Sequence, residues 1–105
     1  MKKNIVTEIV EFSVVAELGE KEFMEIVEEL ENSFHSKQKG FIDTEILRGK
    51  ELGSYIMIQH WESMEECKDA VGKMMKESIT EKFRNCIIAQ SVKMVLSEQI
   101  KKWKK

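Results

Sequence analysis

Apolar and polar residues alternate at period two from Phe41 to Leu47, pause over Arg48-Gly49-Lys50-Glu51-Leu52-Gly53, and resume in a more hydrophobic run from Tyr55 to Trp61. That pattern predicts a β-hairpin. Ser63-Met64-Glu65-Glu66 follows as a capping box, with the Ser63 hydroxyl placed to accept from an orphan amide and Glu66 to reach back to the cap. Upstream, Ile5 to Val15 reads as a first strand ended by Leu18-Gly19, and a helix begins near Glu20. Phe23, Ile26, Val27, Leu30 and Phe34 fall on one stripe of that helix. Glu20 and Glu22 suit the positive end of its dipole, and Gly40 closes the loop after it. The helix opened at Ser63 carries Met64, Cys67, Ala70, Val71 and Met74 on one face. Ser78-Ile79-Thr80-Glu81 is a second capping-box pattern, so the helical region breaks near Lys76 and restarts as a short helix bearing Phe83 and Ile87. A last strand runs from about Ala89 to Leu96.

The predicted order is β-α-β-β-α-β, the ferredoxin-like α+β arrangement, with both helices on one face of a four-stranded antiparallel sheet. Residues 1–105 form a single domain, with a core over about 5–97 and a basic tail over 98–105. The strands are apolar on both sides. Val6, Val10, Phe12 and Val14 oppose Ile5, Ile9 and Val15, while Ile56 and Ile58 oppose Tyr55, Met57 and Trp61. A sheet with one wet face alternates cleanly instead, and an uncovered second face is a larger apolar patch than monomers usually carry. The expectation is a homodimer through the helix-free sheet face.

Composition narrows the classes. Lys and Arg total 17 against 19 Asp and Glu, for a net charge of −2, which gives no general attraction to nucleic acid or to an anionic membrane. With 42% hydrophobic residues the chain is of folded composition, and no run approaches membrane-spanning length. Glu8 and Glu11 interrupt any signal-like apolar region after Met1-Lys2-Lys3. The two cysteines, Cys67 and Cys86, belong to no CxxC pair and lie at no metal-site spacing from a histidine. A cytoplasmic location, free thiols and no bound metal are expected. The tail Lys101-Lys102-Trp103-Lys104-Lys105 carries four lysines on a terminus, which reads as an unstructured end.

A first strand ending in a Gly-containing loop, an acidic amphipathic helix, Gly40-Phe41 followed by Glu45-Ile46-Leu47-Arg48, a Gly turn, and a strand ending His60-Trp61-Glu62-Ser63 together resemble the antibiotic biosynthesis monooxygenase group of dimeric α+β barrels. The likeness spans roughly Val6 to Leu96 and rests on structural motifs more than chemical ones. It implies oxygenation of aromatic or quinol small molecules by dioxygen with no cofactor, or else a non-catalytic ligand-binding barrel. A haem-degrading branch of the group needs an Asn on the first strand and a Trp and His on the second helical region. Phe12 and Ala70 stand at the first two positions and no His follows His60, so haem chemistry is set aside.

His60 is the candidate catalytic residue, because an imidazole takes a phenolic proton near neutral pH and a phenolate gives an electron to dioxygen far more readily than its neutral form. Phe12, Gln59, Trp61 and Met74 are the candidate substrate-binding residues, suited to an apolar or aromatic ligand. Strand alternation sets His60 opposite in facing to Tyr55, Met57 and Trp61, so one set faces the helices and the other the partner sheet. Members of the resembling group bind ligands between sheet and helices. If the Trp61 set faces that way, His60 belongs to the barrel interior or its rim. Glu8 and Glu11, on opposite faces of a central strand, need a partner or a cavity, and Arg48 is a candidate partner. Asp43 and Glu45, about 7 Å apart along an edge strand, read as a solvated face. His35, at a polar helix end, is expected in solvent.

Overall fold

The computed structural model describes residues 4–105. Four strands, β1 (Val6–Ser13), β2 (Phe41–Arg48), β3 (Ser54–Trp61) and β4 (Lys93–Glu98), form one sheet in the order β2-β3-β1-β4, all neighbours antiparallel. Helices α1 (Glu20–Ser33), α2 (Met64–Met74) and α3 (Glu81–Cys86) complete the chain, with short 3-10 turns at His35–Lys37, Ser78–Thr80 and Ala89–Ser91. This is the ferredoxin-like arrangement that the hydrophobic pattern predicts. The last strand starts later than expected, because Ala89–Ser91 forms a turn first.

Register decides which residues meet the helices. Val6, Glu8, Val10 and Phe12 of β1 stand opposite Trp61, Gln59, Met57 and Tyr55 of β3. Seven of those eight are buried, so this is the helix-covered face. Phe12, Phe23, Tyr55 and Met57 form one core cluster, joined at its edge by Phe83. Val6, Trp61, Cys67 and Ala70 form a second. On the other face, Ile58, Ile9 and Val95 line up across β3, β1 and β4, and Ile9 and Ile58 stay half-buried while Val95 is exposed.

Ser63 caps α2 as predicted: its hydroxyl accepts from the Glu66 amide at 3.2 Å and donates to the Glu66 carboxylate at 2.9 Å. Gly40 has φ +82°, and a Cβ there would collide with the Glu66 carboxylate, so the cap needs glycine beside it. The second capping box does not form. Ser78 makes no cap bond, and the buried Thr80 hydroxyl reaches the carbonyls of Met74 (2.7 Å) and Glu77 (2.9 Å) instead. Those bonds fold the chain back between α2 and α3. Beyond α3, the Ile88 amide bonds the Ser13 carbonyl and the Val15 amide the Cys86 carbonyl, both at 2.9 Å, which pins α3 over the end of β1.

Candidate functional site

Between sheet and helices lies a cavity of about 260 Å³. Its floor is Glu8, Val10 and Phe12 of β1 with Met57 and Gln59 of β3. Met74 and Met75 from the end of α2, with Phe83, Arg84 and Ile87 from α3 and its exit, make the wall, and Met94 of β4 closes one side. The lining is almost wholly apolar, and thioethers with several rotatable bonds adapt to a flat or irregular ligand. Two wider depressions, about 450 and 540 Å³, border the β2–β3 turn. They are walled by the exposed pair of Arg48 and Glu20, joined by two hydrogen bonds of 2.8 Å, and contain no buried carboxylate or imidazole. Arg48 is therefore Glu20's partner and not Glu8's.

Glu8 is 5% exposed, an uncommon place for a carboxylate. Its Oε1 accepts from the Trp61 indole N–H at 3.0 Å and from the Cys67 thiol at 3.7 Å. Oε2 has no hydrogen bond among the described residues. Burial raises the Glu8 pKa above its ordinary value, opposed by the Trp61 hydrogen bond, the charge of His35 and the Cys67 hydrogen bond. The same burial pushes the Cys67 thiol up to about 12, so it stays a donor. Gln59, 2% exposed, is fixed by its own donation to the Thr44 hydroxyl at 2.9 Å. The Arg84 guanidinium is held by the Thr80 hydroxyl at 3.1 Å and the Glu77 carbonyl at 2.9 Å.

Of the residues singled out from sequence, Phe12, Gln59 and Met74 line this cavity. Trp61 lines an adjoining one of about 50 Å³ that shares Glu8, Met74, Met75 and Met94 with it. His60 is not brought to either. It sits on the helix-free face, 35% exposed, with Nδ1 2.6 Å from Asp43 Oδ1, and the sheet separates it from the cavity. Asp43 is thus engaged rather than simply solvated. Sequence reasoning noted Glu8 without assigning it a role, and missed Arg84 and His35. His35 is 3% exposed, contrary to expectation, because the 3-10 turn after α1 tucks it against Phe41 and Trp61. Among the described residues, no group of three or more His, Cys, Asp or Glu is disposed to hold a metal ion, and no helix is long and apolar enough to cross a membrane.

Fold and cavity together define a class: a ferredoxin-like α+β domain with a buried carboxylate beneath an apolar pocket. The sequence model for antibiotic biosynthesis monooxygenases matches residues 5–73, and the chain belongs to that family. Among solved structures, SnoaB, a cofactor-independent oxygenase from Streptomyces nogalater, is 18% identical, with 97% of this chain and 99% of SnoaB covered and a TM-score of 0.74. A Bordetella bronchiseptica protein carrying the family's name is 16% identical over 93% of this chain and 99% of its own, with a TM-score of 0.74. A dimeric ferredoxin-like protein from an uncultured marine organism is 12% identical over 99% of this chain and 95% of its own, with a TM-score of 0.65. No curated protein matches significantly. The family match ends before Met74, so it covers the sheet wall of the cavity and not the helical wall.

Proposed function

We propose that the chain is a cofactor-independent monooxygenase that oxidises a hydroxylated aromatic or quinol small molecule in the 260 Å³ cavity, working as a homodimer in the cytoplasm. One observation carries this reading. Glu8 lines an apolar cavity, with one carboxylate oxygen held by two donors and the other without a hydrogen bond among the described residues. The role that the sequence suggested for His60 passes to Glu8, because Glu8 lines the cavity and His60 lies on the other face of the sheet.

In this scheme the ionised Glu8 accepts the substrate's phenolic or adjacent carbon-bound proton. The resulting anion gives one electron to dioxygen, and superoxide recombines with the carbon radical to form the C–O bond. The peroxide anion takes the proton back from Glu8 and then eliminates water. The substrate loses two hydrogens and gains one oxygen atom, and the other oxygen atom leaves as water. Arg84, with its guanidinium anchored at the wall, steadies the anionic stages, and the methionines and Phe12 hold the flat ring system.

The test is oxygen consumption against a panel of anthrones and hydroquinones. Wild type is expected to turn over at least one member. Glu8→Gln, which keeps shape and loses the base, is expected to lose a factor of about 10² or more in kcat. His60→Ala is expected to keep the wild-type rate. A wild type that binds panel members without consuming oxygen would make this a ligand-binding member of the family.

A further inference from the structure

His35 has no part in that scheme, yet it is buried in aromatic surroundings and paired to a carboxylate. Its Nδ1 lies 2.5 Å from Glu31 Oε2 on α1, its ring stacks on Phe41 at 5.7 Å, and it meets the edge of Trp61 at 6.3 Å. With the Nδ1 proton directed to Glu31, the Nε2 atom carries the free lone pair, and Nε2 has no hydrogen bond among the described residues. Such a pair is often no more than a satisfied buried histidine. Here His35 and Glu8 line the same 50 Å³ cavity, room enough for a bridging water. Glu31 is 22% exposed and so reaches solvent from the far side of the ring.

We propose that His35, oriented by Glu31, is the proton acceptor that keeps Glu8 ionised while a ligand fills the larger cavity. The inference rests on the monooxygenase reading only for what the ionised Glu8 then does. An apolar ligand seals the large cavity from water, so the small one, which Glu8 shares with His35, becomes the route outward for its proton. The proton on Glu8 passes through a bridging water to His35 Nε2. The O–H bond breaks, its electron pair stays on the carboxylate, and an N–H bond forms. The imidazolium then lies between two carboxylates, and the summed charge of the three groups is unchanged, so no new net charge is buried.

The titratable neighbours fit this assignment. Glu31 on α1 stabilises the imidazolium, Glu8 on β1 faces it across the small cavity, and Cys67 on α2 remains a neutral thiol. Arg84 borders the large cavity instead. The charge of His35 acts to lower the Glu8 pKa, whereas Glu31 acts to raise it. His35 is a positioning residue in this account, acting through Glu8.

The experiment has two arms. In the first, kcat/KM is followed against pH for wild type and His35→Gln. Loss of the cation is expected to move the acid limb up by about one pH unit, a roughly tenfold loss below the limb with KM and the alkaline plateau kept. An unmoved limb overturns the proposal and leaves the monooxygenase reading intact. The second arm needs no turnover and no His35 variant. In wild-type protein, the Glu8 carboxyl carbon and the His35 ring are titrated by NMR, and both are expected to report the same two coupled steps. In Glu8→Gln, the His35 ring is expected to lose the step it shares with Glu8. If His35 is indifferent to Glu8, the proposal falls. If wild type consumes no oxygen with any substrate, the monooxygenase reading falls and this second arm alone decides the proton-acceptor role.

Discussion

A carboxylate inside an apolar core is tolerated only when hydrogen bonds or a function offset its desolvation, and among the described residues Glu8 has two donors for one oxygen and none for the other. It should therefore cost stability once ionised. The folded pKa is raised above the ordinary value of 4.5, so the native state binds this proton more tightly than the unfolded chain. Glu8 is then least costly below about 4.5, and stability falls as pH rises from there through the raised value. Glu8→Gln does not titrate and keeps an acceptor for Trp61. Its melting temperature is expected to match wild type near pH 4.5 and to exceed it by a margin that widens as pH rises through the raised value and is constant above it. Thermal unfolding of both proteins from about pH 4.5 to pH 8 checks this, and a difference constant over the whole range would contradict it. An inactive variant more stable than its parent is what a site that trades stability for chemistry should give. In sequence, Glu8 stood out as an acid on a central strand, in need of a partner or a cavity. His60 drew more attention because imidazoles as a class titrate near neutrality, but facing is a matter of register. Partners such as Trp61 and Cys67 are 53 and 59 residues away, beyond any local pattern.

At the scale of elements, period-two and helical patterns located strands and helices closely, since each buries one face against the same core. The two capping boxes, alike in sequence, diverge. Ser63 bonds the Glu66 amide with room made by Gly40, whereas Ser78 does not bond and Thr80 holds the α2–α3 turn instead. Local sequence cannot distinguish them, because the choice depends on which hydroxyl is buried under the turn. Substitution should separate the two: Ser63→Ala is expected to cost about 1 kcal/mol, a drop of roughly 4–8 °C in Tm. Ser78→Ala is expected to fall within about 0.5 kcal/mol of wild type. Thr80→Val leaves two carbonyls and Arg84 Nε without their hydroxyl and is expected to cost about 1–3 kcal/mol. Because Thr80 also holds Arg84, that variant should lose activity at temperatures where it remains folded. The helical wall of the cavity was the least legible part of the site, since it is assembled from a turn, a six-residue helix and its exit.

At the scale of the molecule, the two-sided apolar pattern of β1 and β3 remains only half used by a single chain. Helices cover the Phe12 and Trp61 side. Across the other side run Ile58, Ile9 and Val95, with Leu47 beside Ile56 in the next row. The tail does not cover that band, as Ile100 is fully exposed and Trp103 is 78% exposed. Polar rows bound it, Asp43, His60, Thr7 and Ser97 at one end and Glu11 with Lys93 towards the other. An apolar centre with a polar rim suits a second copy of the same sheet, and a stable pairing needs about 600–1,000 Å² from each partner. In such a dimer His60, with Nδ1 2.6 Å from Asp43 Oδ1, stands in the polar row that borders the apolar band. Analytical ultracentrifugation is expected to give a dimer for wild type at micromolar concentration. Ile58→Glu places a charge at the centre of the face, and Ile9→Lys does so on the adjacent strand. Each is expected to yield a folded monomer with the far-ultraviolet circular dichroism of the parent, since neither side chain contributes to the helix-covered core. A wild type that sediments as a monomer, or an Ile58→Glu variant that remains dimeric, would place the interface elsewhere and leave the apolar band without an occupant.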